Sequence, residues 1–204
     1  MRRITKGLGL GILLGLGACQ GGSPGDAPRP PGRVDVAKTK VQKSVVNLAA
    51  FCDVQPEAGA SGPTFVLPPL SSPAQKPPAT EGWKWINLWA TWCKPCIEEI
   101  PLMTNWRTKL AAKGHRLRII YVSVDETDEE VAAYKKENTW LDSDLRVKDL
   151  DSLTPWLQEI GLDKSAAIPI HIFVNPEGQT QCVRAGGIDS HHFETIDAIL
   201  SGRG

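Results

Sequence analysis

The chain has 204 residues, 41% hydrophobic and 23% charged, which suits one globular domain with appendages and leaves little room for two full domains. Its 23 basic and 23 acidic residues balance formally, and setting aside Arg2, Arg3 and Lys6 leaves a slight acidic excess. That argues against a polyanion-binding surface, and so against a nucleic-acid partner.

Read from its start, the chain opens on a positive stretch (Arg2, Arg3, Lys6) followed by the apolar run GLGLGILLGLGA at 7–18. The run has signal-peptide length and is short of the about 20 residues a bilayer span needs. Leu16-Gly17-Ala18-Cys19 resembles the bacterial lipobox. The resemblance implies removal of 1–18, acylation of Cys19, anchorage in a lipid bilayer and a periplasmic location; an ordinary secretory signal and an uncleaved anchor are the alternatives. Outside the cytosol thiols tend to oxidise, so the other four cysteines are read with disulfides in mind.

QGGSPGDAPRPPGR (20–33) has no apolar periodicity and reads as a flexible tether, extending the linker to about residue 45. TFVL (64–67) reads as a short strand ended by Pro68-Pro69, and 71–82 as a Pro-rich loop. The apolar run 83–90 suits a strand covered on both faces. A helix is expected over 93–113, stopped by Gly114 and kinked at Pro101. A second buried strand follows at 117–124, then a Thr-capped helix at 127–137 whose acidic start, DETDEE (125–130), reads as solvated. Another helix is predicted over 154–160, with Pro155 in its first turn. A strand at 170–174, a turn at Asn175-Pro176-Glu177-Gly178, a hairpin partner at 180–184 and a helix at 190–200 complete the chain. Strands alternating with helices predict an α/β fold with a parallel core, and the closing hairpin adds an antiparallel edge.

The chemistry concentrates in WATWCKPC (89–96). A C-x-x-C pair where a buried strand meets a helix places Cys93 at the helix N-terminus, where unpaired N–H groups and the dipole stabilise a thiolate. Cys96, one turn in, can then resolve a mixed disulfide made by Cys93. Pro95 fits the first turn, and Lys94 adds a cation. The pair has three other possible uses. A staple of this spacing closes almost no loop. A zinc site lacks a second C-x-x-C or an H-x-x-x-H. A copper clip would need a histidine such as His171.

Residues 87–101, NLWATWCKPCIEEIP, closely resemble the active-site segment of the TlpA/ResA-like extracytoplasmic thioredoxins, and the likeness extends over roughly 63–200. It implies a thioredoxin fold over about 46–204, with a central mixed sheet flanked by helices. It implies that Ile168-Pro169 carries a cis-proline beside the active disulfide, presenting the Ile168 backbone to a partner chain. Asn87 stands where cytosolic thioredoxins place a buried Asp, so Glu99, one turn beyond Cys96, becomes the candidate proton-transfer group. Trp89 is expected in the core and Trp92 on the docking surface.

Four cysteines allow three pairings. Local geometry favours Cys93–Cys96 and leaves Cys52 with Cys182 as a structural bond, with free thiols or a second exchange pair as alternatives. His115, His171, His191 and His192 are scattered, with the last two expected in solvent. The reading is an anchored thiol–disulfide oxidoreductase without a bound cofactor or metal. Its expected partners are exported proteins carrying disulfides, including those of cytochrome c maturation, and a membrane thiol-electron donor. An oxidase or isomerase, and a non-enzymatic copper metallochaperone, are the alternatives.

Overall fold

The computed structural model describes residues 46–202 apart from 58, 73, 74, 76–80 and 144; the leader, Cys19 and the 20–33 tether lie outside the described residues. Strand β1 (Trp83–Trp89) is central, with β2 (Leu117–Ser123) parallel on one side and β4 (Ile170–Val174) antiparallel on the other. The outer strands are the short β3 (Leu145–Arg146), parallel to β2, and β5 (Thr180–Ala185), antiparallel to β4, giving the order β3-β2-β1-β4-β5. The inner strands are mostly apolar runs because both faces are covered.

Successive side chains point to opposite faces. Trp85, Trp89, Ile119, Tyr121 and Phe173 therefore meet Ile100, Met103, Trp106 and Leu110 of α1 (Lys94–Ala112), and Ile196, Ile199 and Leu200 of α4 (Phe193–Leu200). Ile86, Leu88, Ile120, Val122 and Ile172 turn the other way, against Leu153, Trp156 and Leu157 of α3 (Leu150–Glu159). Helix α2 (Asp128–Glu137) opens on a capping box between Thr127 and Glu130 and adds Val131 to the α1 side. Among the described residues no helix is long and apolar enough to cross a membrane.

Helix α1 runs through Pro101, which only removes the bond its N–H would have donated one turn back. It stops at Gly114, whose φ of 94° lets its N–H reach the Ala111 carbonyl while His115 N–H reaches Leu110.

Three expectations need correction, and one strand, β3, was not expected. TFVL is not a strand: it contributes one isolated bridge, Thr64 to Gln179, because prolines on both sides lack the donors a ladder needs. Helix α3 begins at Leu150 rather than 154, since Asp149 accepts the Ser152 N–H as its cap, and Pro155 falls in the second turn. The start of the acidic stretch is not solvated. Asp125 is 3% exposed. Strand β3 had no period to reveal it at two residues; the buried Arg146 secures it, its guanidinium donating to Asp128 Oδ1 at 2.6 Å and to the carbonyls of Asp125, Glu126 and Val147.

Candidate active site

The end of β1 delivers the chain through Ala90 and Thr91 to the first turn of α1. Cys93 is the N-cap and is bonded to Cys96, and the Cys96 backbone N–H donates to the Cys93 sulfur at 3.3 Å. The helix terminus thus already offers a donor to the atom that would carry charge as a thiolate. Cys93 is 4% exposed and Cys96 fully buried. Pro95 lies in the first turn. Trp92 is 66% exposed beside the bond. Lys94 points into solvent and pairs with Glu98 at 3.6 Å, so Glu98 turns away from the buried face.

Strand register brings the second half of the site to the same edge of the sheet. Leu88, near the end of β1, pairs with Ile170, the first residue of β4. The residues just before β4 therefore sit at the cysteine end. Ile168-Pro169 is a cis peptide there, and Ile168 packs against the core cluster that includes Cys93 and Cys96.

Behind the disulfide lies a buried polar group. Glu99 projects from the inner face of α1, one turn beyond Cys96, and is 5% exposed. Its Oε2 accepts the Ile188 N–H at 3.1 Å, and its Oε1 accepts Asn87 Nδ2–H at 3.3 Å. His171 is fully buried and faces Asn87 across the β1–β4 register. Its Nδ1 accepts Trp85 Nε1–H at 3.1 Å, and its Nε2 lies 3.3 Å from Glu99 Oε1. Sequence reasoning found Glu99 and missed its partner. The available signal was the lone titratable residue inside the apolar run IPIHIFV, since a buried polar residue is the informative exception.

Asp125 was also missed. It accepts from the Thr91 N–H at 3.1 Å, from Thr91 Oγ1 at 2.7 Å and from Ser123 Oγ, holding the loop that delivers Cys93. Cys52 and Cys182 are bonded 130 residues apart, and Val54 pairs with Val183, so the segment before the domain is tied along the edge of β5. Of the histidines, His191 is exposed, but His192 is half-buried, its ring 5.1 Å from that of Phe51, which corrects the expectation that both are solvated. His115 pairs with the buried Asp197 at 2.7 Å. Among the described residues no group of three His, Cys, Asp or Glu side chains is placed to hold a metal.

Residues 85–179 match a family model described as thioredoxin-like. Over that stretch the chain is similar to the thioredoxin-like family. Among curated relatives, the chain is 28% identical to the thiol-disulfide oxidoreductase ResA of Bacillus subtilis (strain 168) over 134 residues, 63% of this chain and 67% of that one. It is 35% identical to ResA of Bacillus cereus (strain ATCC 10987 / NRS 248) over 82 residues, 40% of this chain and 46% of the relative. The chain spans about half the length of several curated relatives it matches, including the thioredoxin-like protein YneN of Bacillus subtilis (strain 168), at 46%. A solved structure titled a putative thiol:disulfide interchange protein DsbE, from Chlorobium tepidum, superposes with a TM-score of 0.47 at 18% identity, over 72% of this chain and 99% of that one.

Proposed function

We propose that the chain is a thiol–disulfide oxidoreductase acting outside the cytosol, where it reduces disulfides of exported proteins. The observation that carries this reading is the Cys93–Cys96 bond at the N-terminus of α1, at the sheet end where cis-Pro169 also lies. The likeness to the ResA thiol-disulfide oxidoreductases supports the exchange chemistry.

In the reducing direction the Cys93 thiolate attacks one sulfur of a partner disulfide. That sulfur becomes half of a mixed disulfide, and the other leaves as a thiolate. Cys96 then gives up its proton and attacks Cys93 Sγ, forming the Cys93–Cys96 bond and releasing the second partner sulfur. Two electrons pass to the partner. Glu99, buried one turn beyond Cys96, is the candidate acceptor of the Cys96 proton. Exposed Trp92, with Lys94, Pro95 and the Ile168 backbone, forms the surface a partner chain would meet. The disulfide itself carries the electrons, so no further cofactor is needed. The pair must be recharged, which calls for a membrane thiol-electron donor. Acylation at Cys19 would hold the protein beside that donor, and apocytochrome c thiols are a fitting client class.

The reduction potential of Cys93–Cys96, followed by tryptophan fluorescence in thiol–disulfide buffers, tests the reading. A two-electron transition at or below about −220 mV supports a reductant, and one near about −120 mV turns the direction to oxidation. The absence of any reversible transition, with both thiols intact, removes the oxidoreductase altogether.

A further inference from the structure

The proposed chemistry explains why Glu99 should accept a proton, but not what keeps a buried carboxyl ready to do so. Burial opposes the charged form, and only hydrogen bonds or charges can offset that. Every polar group the structure places against this carboxyl is a donor or can be one: Ile188 N–H on Oε2, Asn87 Nδ2–H on Oε1, and His171 Nε2 at 3.3 Å from Oε1.

The histidine is constrained. An indole N–H can only donate, so the contact from Trp85 Nε1 requires a lone pair on His171 Nδ1. The ring proton of neutral imidazole then has to sit on Nε2. No hydrogen-bond partner of standard geometry meets Nε2 among the described residues, and Glu99 Oε1 lies 3.3 Å from it. Asn87 Nδ2, also 3.3 Å from His171 Nδ1, lies between two acceptors, which orients the amide with its N–H groups toward Glu99. The ring therefore stands against Glu99 Oε1 and orients the amide that donates to it.

Resting on the oxidoreductase reading, we infer that His171, held as the Nε2–H tautomer by Trp85, is a positioning residue that sets Asn87 and the Glu99 carboxyl in place as the proton acceptor for Cys96. Other groups around the cluster do not take over this part. Tyr121 of β2 has its hydroxyl pushed up to about 12 by burial and stays neutral. His192 beyond β5 is pulled down, mainly by burial, and Arg184 of β5, the register partner of His171, bonds instead to the Phe51 and Gly187 carbonyls. Cys93 and Cys96 complete the set from α1.

The test uses the reduced protein and dithiobis-nitrobenzoate. Cys93 attacks the reagent and releases one nitrothiolate; Cys96, losing its proton, then attacks Cys93 Sγ and releases the second. The rate of that second release is followed against pH for wild type, His171→Leu, His171→Gln and His171→Asn. Glutamine can return an N–H to the place of Nε2, whereas the shorter asparagine cannot reach it. The inference expects His171→Leu and His171→Asn to slow the second release about tenfold near pH 6, the scale of one lost hydrogen bond to a charged group. The difference should close at alkaline pH, and His171→Gln should keep most of the wild-type profile. Should the leucine variant fail to fold, the glutamine–asparagine pair decides alone. Equal losses in Gln and Asn at every pH, or profiles superposing on wild type, would overturn the role of His171 while leaving the dithiol chemistry standing. A wild-type protein that never releases the second nitrothiolate would overturn the oxidoreductase reading with it.

Discussion

The two disulfides are equally hidden and differ in everything else. Cys93–Cys96 spans three residues at a helix N-terminus, in front of Glu99, Asn87 and His171. Cys52–Cys182 spans 130 residues and sits among Phe51, Phe173 and the aliphatic core. Exposure cannot tell them apart, at 4% and 0% against 6% and 0%. What separates them is what each bond constrains. A short loop loses little entropy when closed, so breaking it leaves the fold almost as stable. A loop this long gains up to about 5 kcal/mol in the chain-entropy account of disulfides. Chemistry that opens and closes a bond belongs where opening costs the fold least.

Several measurements would break or sharpen that contrast. The largest effect is expected from Cys93→Ser, which should lower disulfide reduction by about three orders of magnitude, while Cys96→Ser should accumulate a mixed disulfide visible by mass. The double variant Cys52→Ala, Cys182→Ala should do the reverse. Its unfolding free energy in urea should fall by about 2–5 kcal/mol while the potential of Cys93–Cys96 stays in place. A potential that moved with the edge bond would show that the two ends are coupled.

Asp125→Ala should cost about 1–3 kcal/mol, because the Thr91 N–H and hydroxyl lose a buried acceptor. It should also slow Cys93 attack by loosening the turn that delivers it. Smaller still is an acid effect remote from both bonds. Burial pushes the Asp197 carboxyl up, but hydrogen bonds from His115 and Lys113 outweigh it and hold the group below the ordinary carboxylate range. Its folded value is depressed, so its contribution to stability is complete above about pH 4 and is lost as pH falls through that folded value. Asp197→Asn should flatten the acid limb of a stability–pH curve without touching exchange. The least effect is expected from Lys94→Ala, whose exposed pair with Glu98 should contribute under about 0.5 kcal/mol.

Much of the site was legible because its logic is local. A strand ending in WATWC, a proline in the first helical turn and a second cysteine three residues on need only helix geometry to bring the two sulfurs into bonding distance. Glu99 was reachable by the same rule, one turn further along. The structure also bonds Cys52 to Cys182, a pairing that elimination favoured without deciding. The misreadings arose where local rules met competing ones. Pro155 suited a first turn, but Asp149 offered a cap earlier. TFVL had strand composition, but its prolines deny it a ladder. Asp125 looked like one acid among many until Thr91 was seen beside it.

The sequence by itself determined the fold class, the bonded cysteine pair and the buried carboxyl one turn beyond it, because each follows from patterns within a few turns or one strand. Only the tertiary structure decided what that carboxyl faces. His171 lies 84 residues from Asn87, and Ile188 lies 89 from Glu99. Their meeting depends on β4 pairing antiparallel to β1 in one register, and a slip of one residue would turn His171 to the opposite face.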